Sequence, residues 1–172
     1  VMLGSTLLGW PLPLLPIHIL WINLVTDGFP ALALAVDPKD PDVMTRPPRD
    51  PQAPLLDRRR FITVCVQGAV MAAATLAVFG IALSIMTDEV TFARTMTFTT
   101  LVLVQFLHAF TCRHDRFSLF QIGVATNRML VAAVFISALL QAGIVLSPWG
   151  QEIFRVVPLR TEEWWLIAGF GL

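Results

Sequence analysis

The chain has 172 residues, of which 56% are hydrophobic and 14% are charged, whereas soluble domains average about 25% charged residues. This composition excludes an ordinary soluble domain and indicates a membrane protein. Lys plus Arg and Asp plus Glu both number 12, so the formal net charge is zero and nothing in the balance indicates a nucleic-acid partner.

Six apolar runs follow one another along the sequence. A helix needs about 20 apolar residues to cross a hydrocarbon core of about 30 Å. Four runs come close to that length or exceed it, and we interpret the two shorter terminal runs as parts of helices. The sequence therefore predicts an all-α bundle of transmembrane helices, with complete spans at 14–36, 61–86, 95–112 and 129–147 and partial spans at 1–9 and 164–172.

The second run carries an acidic residue in its middle. Within WINLVTDGFPALAL, residues 21–34, Asp27 is the one acidic side chain, and no Lys or Arg occurs from residue 1 to 36. A carboxylate near the bilayer centre costs about 3 kcal/mol, so it generally faces protein and marks an ion or proton pathway. On an α-helix Asn23 shares one face with Asp27, and Thr26 lies at the border of that face. We therefore expect the oxygens of these three side chains to converge.

The backbone beside Asp27 is predicted to be loosened. Pro30 has no N–H to donate to the carbonyl of residue 26, and Gly28 makes unwinding easier. A freed carbonyl at membrane depth must be buried in protein or line a polar cavity. Carboxylate, amide, hydroxyl and main-chain oxygens are the ligands that calcium prefers. The sequence thus predicts a cation site and leaves two alternatives open: an Asp27 neutralised by an Arg or Lys of another helix, or one kept protonated as a structural donor.

The distribution of positive charge predicts the orientation. Cytoplasmic loops are enriched in Lys and Arg. Loop 37–60 holds six of them and loop 113–128 holds three, against one in 87–94 and two in 147–163. The first and third loops are therefore expected to face the cytoplasm.

NLVTDGFPALAL followed by DPKDPDVMTRPPRDPQAPL resembles the sixth transmembrane helix and the following cytoplasmic loop of P-type cation-transporting ATPases, in particular the calcium-pump branch. The resemblance is strongest over residues 16–60 and continues in helix order along nearly the whole chain. It implies that residues 1–172 form a C-terminal transmembrane domain, from the end of the fifth helix to the start of the tenth. Earlier helices and cytoplasmic domains would belong to the same polypeptide, and the lipid bilayer would surround the helices.

The resemblance also implies roles for side chains. Asn23 and Asp27 correspond to cation ligands of the sixth helix, and Thr26 to a ligand in members that bind two calcium ions. Gln105 stands where two-site pumps carry a Glu on the eighth helix. A neutral amide cannot balance a second divalent ion, so one ion per cycle is expected.

Other polar residues have open interpretations. Gln105 and His108 either reach the ion or make interhelical hydrogen bonds. His18 either joins an exit path or is an interfacial histidine. The loop residues Arg46, Pro47, Pro48 and Arg49 either transmit movement from the phosphorylation domain or only fix the topology.

The sequence holds no Asp-Lys-Thr-Gly phosphorylation motif and no glycine-rich phosphate loop. By the resemblance, ATP and magnesium would be bound by cytoplasmic domains outside these residues, and calcium would be the transported ion, with manganese or another cation as alternatives. A secondary transporter or channel segment that uses Asp27 as a relay, or a membrane scaffold, are the rival functions. The arginine-rich composition favours a bacterial plasma membrane.

Overall fold

The computed structural model describes residues 1–38, 57–85, 89–113, 123 and 126–171. Within these ranges all regular structure is helical, which confirms the predicted all-α fold. Four of the helices, Pro16–Ala35, Arg58–Ile85, Val90–Thr111 and Arg128–Leu146, are long and apolar enough to cross a membrane. The helices are α1 Met2–Leu7, α2 Pro16–Ala35, α3 Arg58–Ile85, α4 Val90–Thr111, α5 Arg128–Leu146, α6 Pro148–Phe154 and α7 Thr161–Gly171.

Two long helices begin earlier than the apolar runs suggest. Helix α3 starts at Arg58, where the backbone N–H of Arg60 donates to Oδ1 of Asp57 at 2.7 Å. Helix α4 starts at Val90, so Arg94 lies inside the helix and not in the preceding loop. Arg94 Nε donates to the carbonyl of Leu12 at 2.9 Å. Because this contact satisfies the Arg94 side chain, the helix can include Arg94, although its charge ends the apolar run.

Helix α4 forms the centre of the bundle. It packs against α3, α5, α7 and the middle of α2. Its threonines at 95, 97, 99 and 100 are buried together with its apolar side chains. The core around it contains Val78, Phe79, Ala82, Phe92, Ala93 and Met96 on one side and Ile22, Phe98, Val102, Phe106 and Ile144 on the other.

The short helix α6 lies in the segment predicted as the fourth loop. Ser147 caps its first turn, because its Oγ accepts from the N–H of Gly150 at 3.0 Å, and Pro148 follows the cap. The backbone of Gly150 approaches that of α5 so closely that a Cβ atom would lie 2.5 Å from the Cα of Ile144. The close approach fixes α6 against the end of α5.

Candidate cation site

Helix α2 changes register at the acidic residue. It is α-helical over Pro16–Trp21, takes the wider π form over Ile22–Asp27, and returns to the α form over Gly28–Ala35. A π turn bonds residues five apart, and such turns occur often at functional sites. The change lies where Gly28 and Pro30 predict a loosened backbone, since Pro30 cannot donate a main-chain hydrogen bond.

The π turn separates the three predicted ligands. Asn23 and Asp27 are exposed on the surface of the described helices, whereas Thr26 is 3% exposed. Residues three positions apart, which nearly share a face on an α-helix, diverge further in the wider π register. Thr26 Oγ1 is buried without a hydrogen-bond partner among the described residues. Asn23 and Asp27 thus share a surface, and Thr26 faces the neighbouring helices.

Asp27 makes no ion pair within the described part of the chain, where the recorded pair joins Arg113 to Asp37. The described part of the chain also contains no cluster of three or more His, Cys, Asp or Glu side chains that could hold a metal ion. The alternative of a neutralising Arg or Lys is therefore not seen among these helices. The oxygens available at this surface are those of one carboxylate and one amide, a set suited to a hard cation.

His18 lies in the core, one turn before the π segment. It is fully buried, and its ring stacks on Phe98 with centroids 4.5 Å apart. The N–H of Leu15 donates to Nδ1 at 3.3 Å, so Nε2 carries the proton and donates to the carbonyl of Phe154 at 2.8 Å. Both ring nitrogens are therefore engaged with the protein, which favours a structural role over either role considered from the sequence.

Gln105 and His108 lie on α4, at its C-terminal end. His108 is partly buried and contacts its own helix, with Nδ1 3.1 Å from Thr111 Oγ1 and Nε2 3.3 Å from Cys112 Sγ. Gln105 Oε1 is buried and has no partner among the described residues. Direct contact of either side chain with an ion stays a prediction.

A polar cluster that the sequence analysis missed joins the ends of three helices. Arg113, just after α4, donates from Nε and Nη2 to the two carboxylate oxygens of Asp37 at 3.1 and 3.0 Å. Nη1 also donates to the carbonyl of Gly123, and Nη2 to Thr126 Oγ1. Asn127 caps α5 and donates from Nδ2 to Asp37 at 2.9 Å. The available signal was an acidic residue, a basic residue and a capping residue at three helix ends predicted to lie on the cytoplasmic side.

Helix α5 contacts α2 through polar side chains along its length. Trp21 Nε1 donates to Gln141 Oε1 at 3.0 Å, and Ser137 Oγ donates to the carbonyl of Val25 at 3.2 Å. Gln141 is buried in this interface. The four residues of the predicted coupling loop, Arg46, Pro47, Pro48 and Arg49, lie outside the described residues.

The family profile described as "Cation transporting ATPase, C-terminus" matches residues 11–172. The chain belongs to this family. A calcium-transporting ATPase of Bacillus subtilis (strain 168) is 40% identical over 99% of the chain. Calcium-transporting ATPase 1 of Bacillus cereus is 37% identical over 93%, and the human calcium-transporting ATPase type 2C member 1 is 35% identical over 96%. These relatives confirm the resemblance to the calcium-pump branch.

The chain spans about a fifth of the length of these relatives: 19%, 20% and 18%. Four apolar helices in a region of this cation-transporting ATPase family make it an integral, multi-pass membrane protein. All three relatives are named as calcium-transporting ATPases.

Proposed function

We propose that residues 1–172 serve as the C-terminal transmembrane domain of an ATP-driven calcium pump, in which Asn23 and Asp27 supply part of the calcium site. One observation carries this proposal: an exposed carboxylate without an ion pair among the described residues lies at a π turn in an apolar span, beside an exposed amide. Calcium takes six to eight oxygen ligands, and these two side chains can provide only some of them. Oxygens from other helices of the same polypeptide complete the set.

The energy source lies in the rest of that polypeptide. The relatives are named as calcium-transporting ATPases and are about five times longer than this chain. Domains outside these residues bind ATP and magnesium and carry the phosphorylated aspartate. The coupling-loop residues 46–49 transmit the change of state in those domains to α2. The proposed location is a bacterial plasma membrane, which two relatives from Bacillus, 40% and 37% identical, support.

The proposed stoichiometry is one calcium ion per cycle. Gln105 supplies an amide where a carboxylate would be needed to balance a second divalent charge, and the buried hydroxyl of Thr26 points away from the surface of Asn23 and Asp27. The carboxylate and amide oxygens also suit manganese. Transport assays with each cation alone distinguish the two substrates.

The decisive experiment uses the full-length pump in membranes. Phosphoenzyme formed from ATP is titrated with calcium for the natural protein and for Asp27→Asn. Loss of a charged ligand raises the calcium concentration needed by roughly a hundredfold or more, because ligand charge sets calcium affinity over several decades. Asp57→Asn makes the same chemical change at an exposed helix cap and leaves the titration unchanged.

Phosphorylation of Asp27→Asn by inorganic phosphate without calcium, the reverse of phosphoenzyme hydrolysis, shows that the variant is folded. An Asp27→Asn pump with the natural calcium titration would refute the site. Calcium flux by the full-length protein without ATP would instead indicate the rival secondary transporter or channel.

A further inference from the structure

Helix α5 faces the side of α2 that is turned away from the exposed Asn23 and Asp27. Its polar side chains pair with α2 in antiparallel order: Asn127 with the carbonyl of Ala33 at 3.0 Å, then Ser137 with Val25, then Gln141 with Trp21. Ser137 is fully buried and Gln141 is 4% exposed. These three pairs contact α2 before the π segment, within it and after it.

The Ser137 contact has a specific origin in the sequence of α2. Val25 lies in the π segment Ile22–Asp27, which directly precedes the return to the α form at Gly28 and Pro30. Residue 30 is a proline and has no N–H. The hydroxyl of Ser137 donates to the Val25 carbonyl at 3.2 Å and so adds a donor at the end of the π turn, where the main chain lacks one.

This use of a helical hydroxyl differs from that of three other buried hydroxyls among the described helices. Buried Ser and Thr side chains in helices usually donate to a carbonyl of their own preceding turn. Thr75, Thr97 and Thr100 do so, with oxygens 2.7 to 2.8 Å apart. Ser137 instead donates to a different helix, at a carbonyl inside the π turn. In an apolar interior, an unpaired carbonyl there would carry a desolvation cost.

We propose that Ser137, supported by Gln141, is a positioning residue that holds the π turn of α2 so that Asn23 and Asp27 face outward together toward the cation. This proposal rests on the proposed function. Gln141 fastens Trp21, the residue immediately before the π turn, and Ser137 fastens its centre. Without the hydroxyl, the turn relaxes toward the α register or toward a water-bridged form, and either change rotates Asn23 relative to Asp27.

The test measures calcium dependence in the full-length pump. Ser137→Ala should raise the calcium concentration for half-maximal phosphoenzyme roughly tenfold, the factor that corresponds to one lost net hydrogen bond. The maximal phosphoenzyme level should stay within about twofold. Ser137→Thr keeps the hydroxyl and should restore the calcium titration. Gln141→Met should shift the titration in the same direction by a smaller factor.

Thr75→Ala is the matched control. Thr75 is fully buried, and among the described residues its hydroxyl bonds only within α3, which packs on α4 and α7. It should leave the calcium titration unchanged. The proposal is overturned if Ser137→Ala keeps the natural calcium titration, if it lowers only the maximal level, or if Ser137→Thr is shifted as far as Ser137→Ala. None of these outcomes touches the proposed function, which the Asp27→Asn titration and the test for calcium flux without ATP address separately.

Discussion

Two aspartates on the same chain segment have opposite surroundings. Asp37, just beyond the end of α2, receives hydrogen bonds from Arg113 and from Asn127 Nδ2, all within 3.1 Å. Asp27, in the middle of the apolar span, is exposed on the described helices and pairs with no cation among them. The Arg113 side chain, whose guanidinium neutralises Asp37, is only 2% exposed.

The difference separates a structural carboxylate, Asp37, from one that we propose to be functional, Asp27. When the protein itself supplies every partner of a charged side chain, the ion pair holds the helices together. Removing either member of the pair leaves the other one buried and uncompensated. A charge that is kept in an apolar helix without such a partner is costly and is generally retained for function. Asp37 therefore connects α2, α4 and α5, whereas Asp27 is available to a ligand.

The largest expected effect is on stability, from Arg113→Met. The change removes two hydrogen bonds to Asp37 and those to Gly123 and Thr126. Breaking a buried pair costs about 3 to 5 kcal/mol, and we expect about 3 kcal/mol because Asp37 remains 13% exposed and keeps Asn127. The measurement is the free energy of unfolding in detergent.

A double-mutant cycle with Asp37→Asn checks the assignment of that loss. Coupling between the two sites should account for most of it, because the two side chains form a bidentate pair. Additive effects would contradict the pair as the cause. Neither variant should shift the calcium titration by more than about threefold if the pair is structural.

The next effect is on stabilisation by calcium. A ligand at 100 times its dissociation constant stabilises the folded state by about 2.7 kcal/mol. At that calcium concentration the natural full-length pump should gain about this much, and Asp27→Asn, which binds calcium roughly a hundredfold more weakly, should gain about 0.4 kcal/mol or less. Asp37→Asn should start from a lower stability and keep the full gain. Melting temperatures with and without calcium provide the comparison, and an equal gain in both variants would contradict the contrast between the two carboxylates.

The sequence predicts the site of Asp27 better than it predicts the pair of Asp37 and Arg113. The apolar runs locate the four long helices because hydropathy depends on composition over about 20 residues. Asp27 was identifiable because a lone acid in an apolar run is unusual by itself. The Asp37 and Arg113 pair was not, since these residues lie in ordinary loops 76 positions apart and only the packing of α2 against α4 and α5 brings them together.

The register of α2 shows a second limit of sequence reasoning. Gly28 and Pro30 predict a loosened backbone, but not that it takes the π form. The carbonyl that Ser137 contacts is Val25, whereas an α-helical pattern points to residue 26. An assumed α period also placed Thr26 beside Asn23 and Asp27. Local periodicity cannot predict a register change that a neighbouring helix stabilises.

A smaller effect is expected for Asn127→Ala, at the α5 end of the Asp37 cluster. The variant loses the cap of α5, where Oδ1 accepts from the N–H of Leu130 at 2.8 Å, and the donations to Ala33 and Asp37. Loss of an N-cap costs about 1 kcal/mol, and the stranded carbonyl of Ala33 adds a comparable amount. The free energy of unfolding should fall by about 2 kcal/mol. Asn127→Asp, which keeps the cap but adds a charge beside Asp37, should not restore it.

The smallest effect is expected for Thr26→Val, and it tests the number of ions. Valine has nearly the shape of threonine, and the Thr26 hydroxyl is buried without a partner among the described residues. Removing an unsatisfied buried hydroxyl relieves a desolvation cost, so stability should rise by up to about 1 kcal/mol. With one ion bound by Asn23 and Asp27, the calcium titration should move by less than about twofold. A tenfold loss of calcium affinity would instead make Thr26 a ligand. That result would mean that the π turn rotates on binding, because its hydroxyl would have to leave the helix interface to reach the ion.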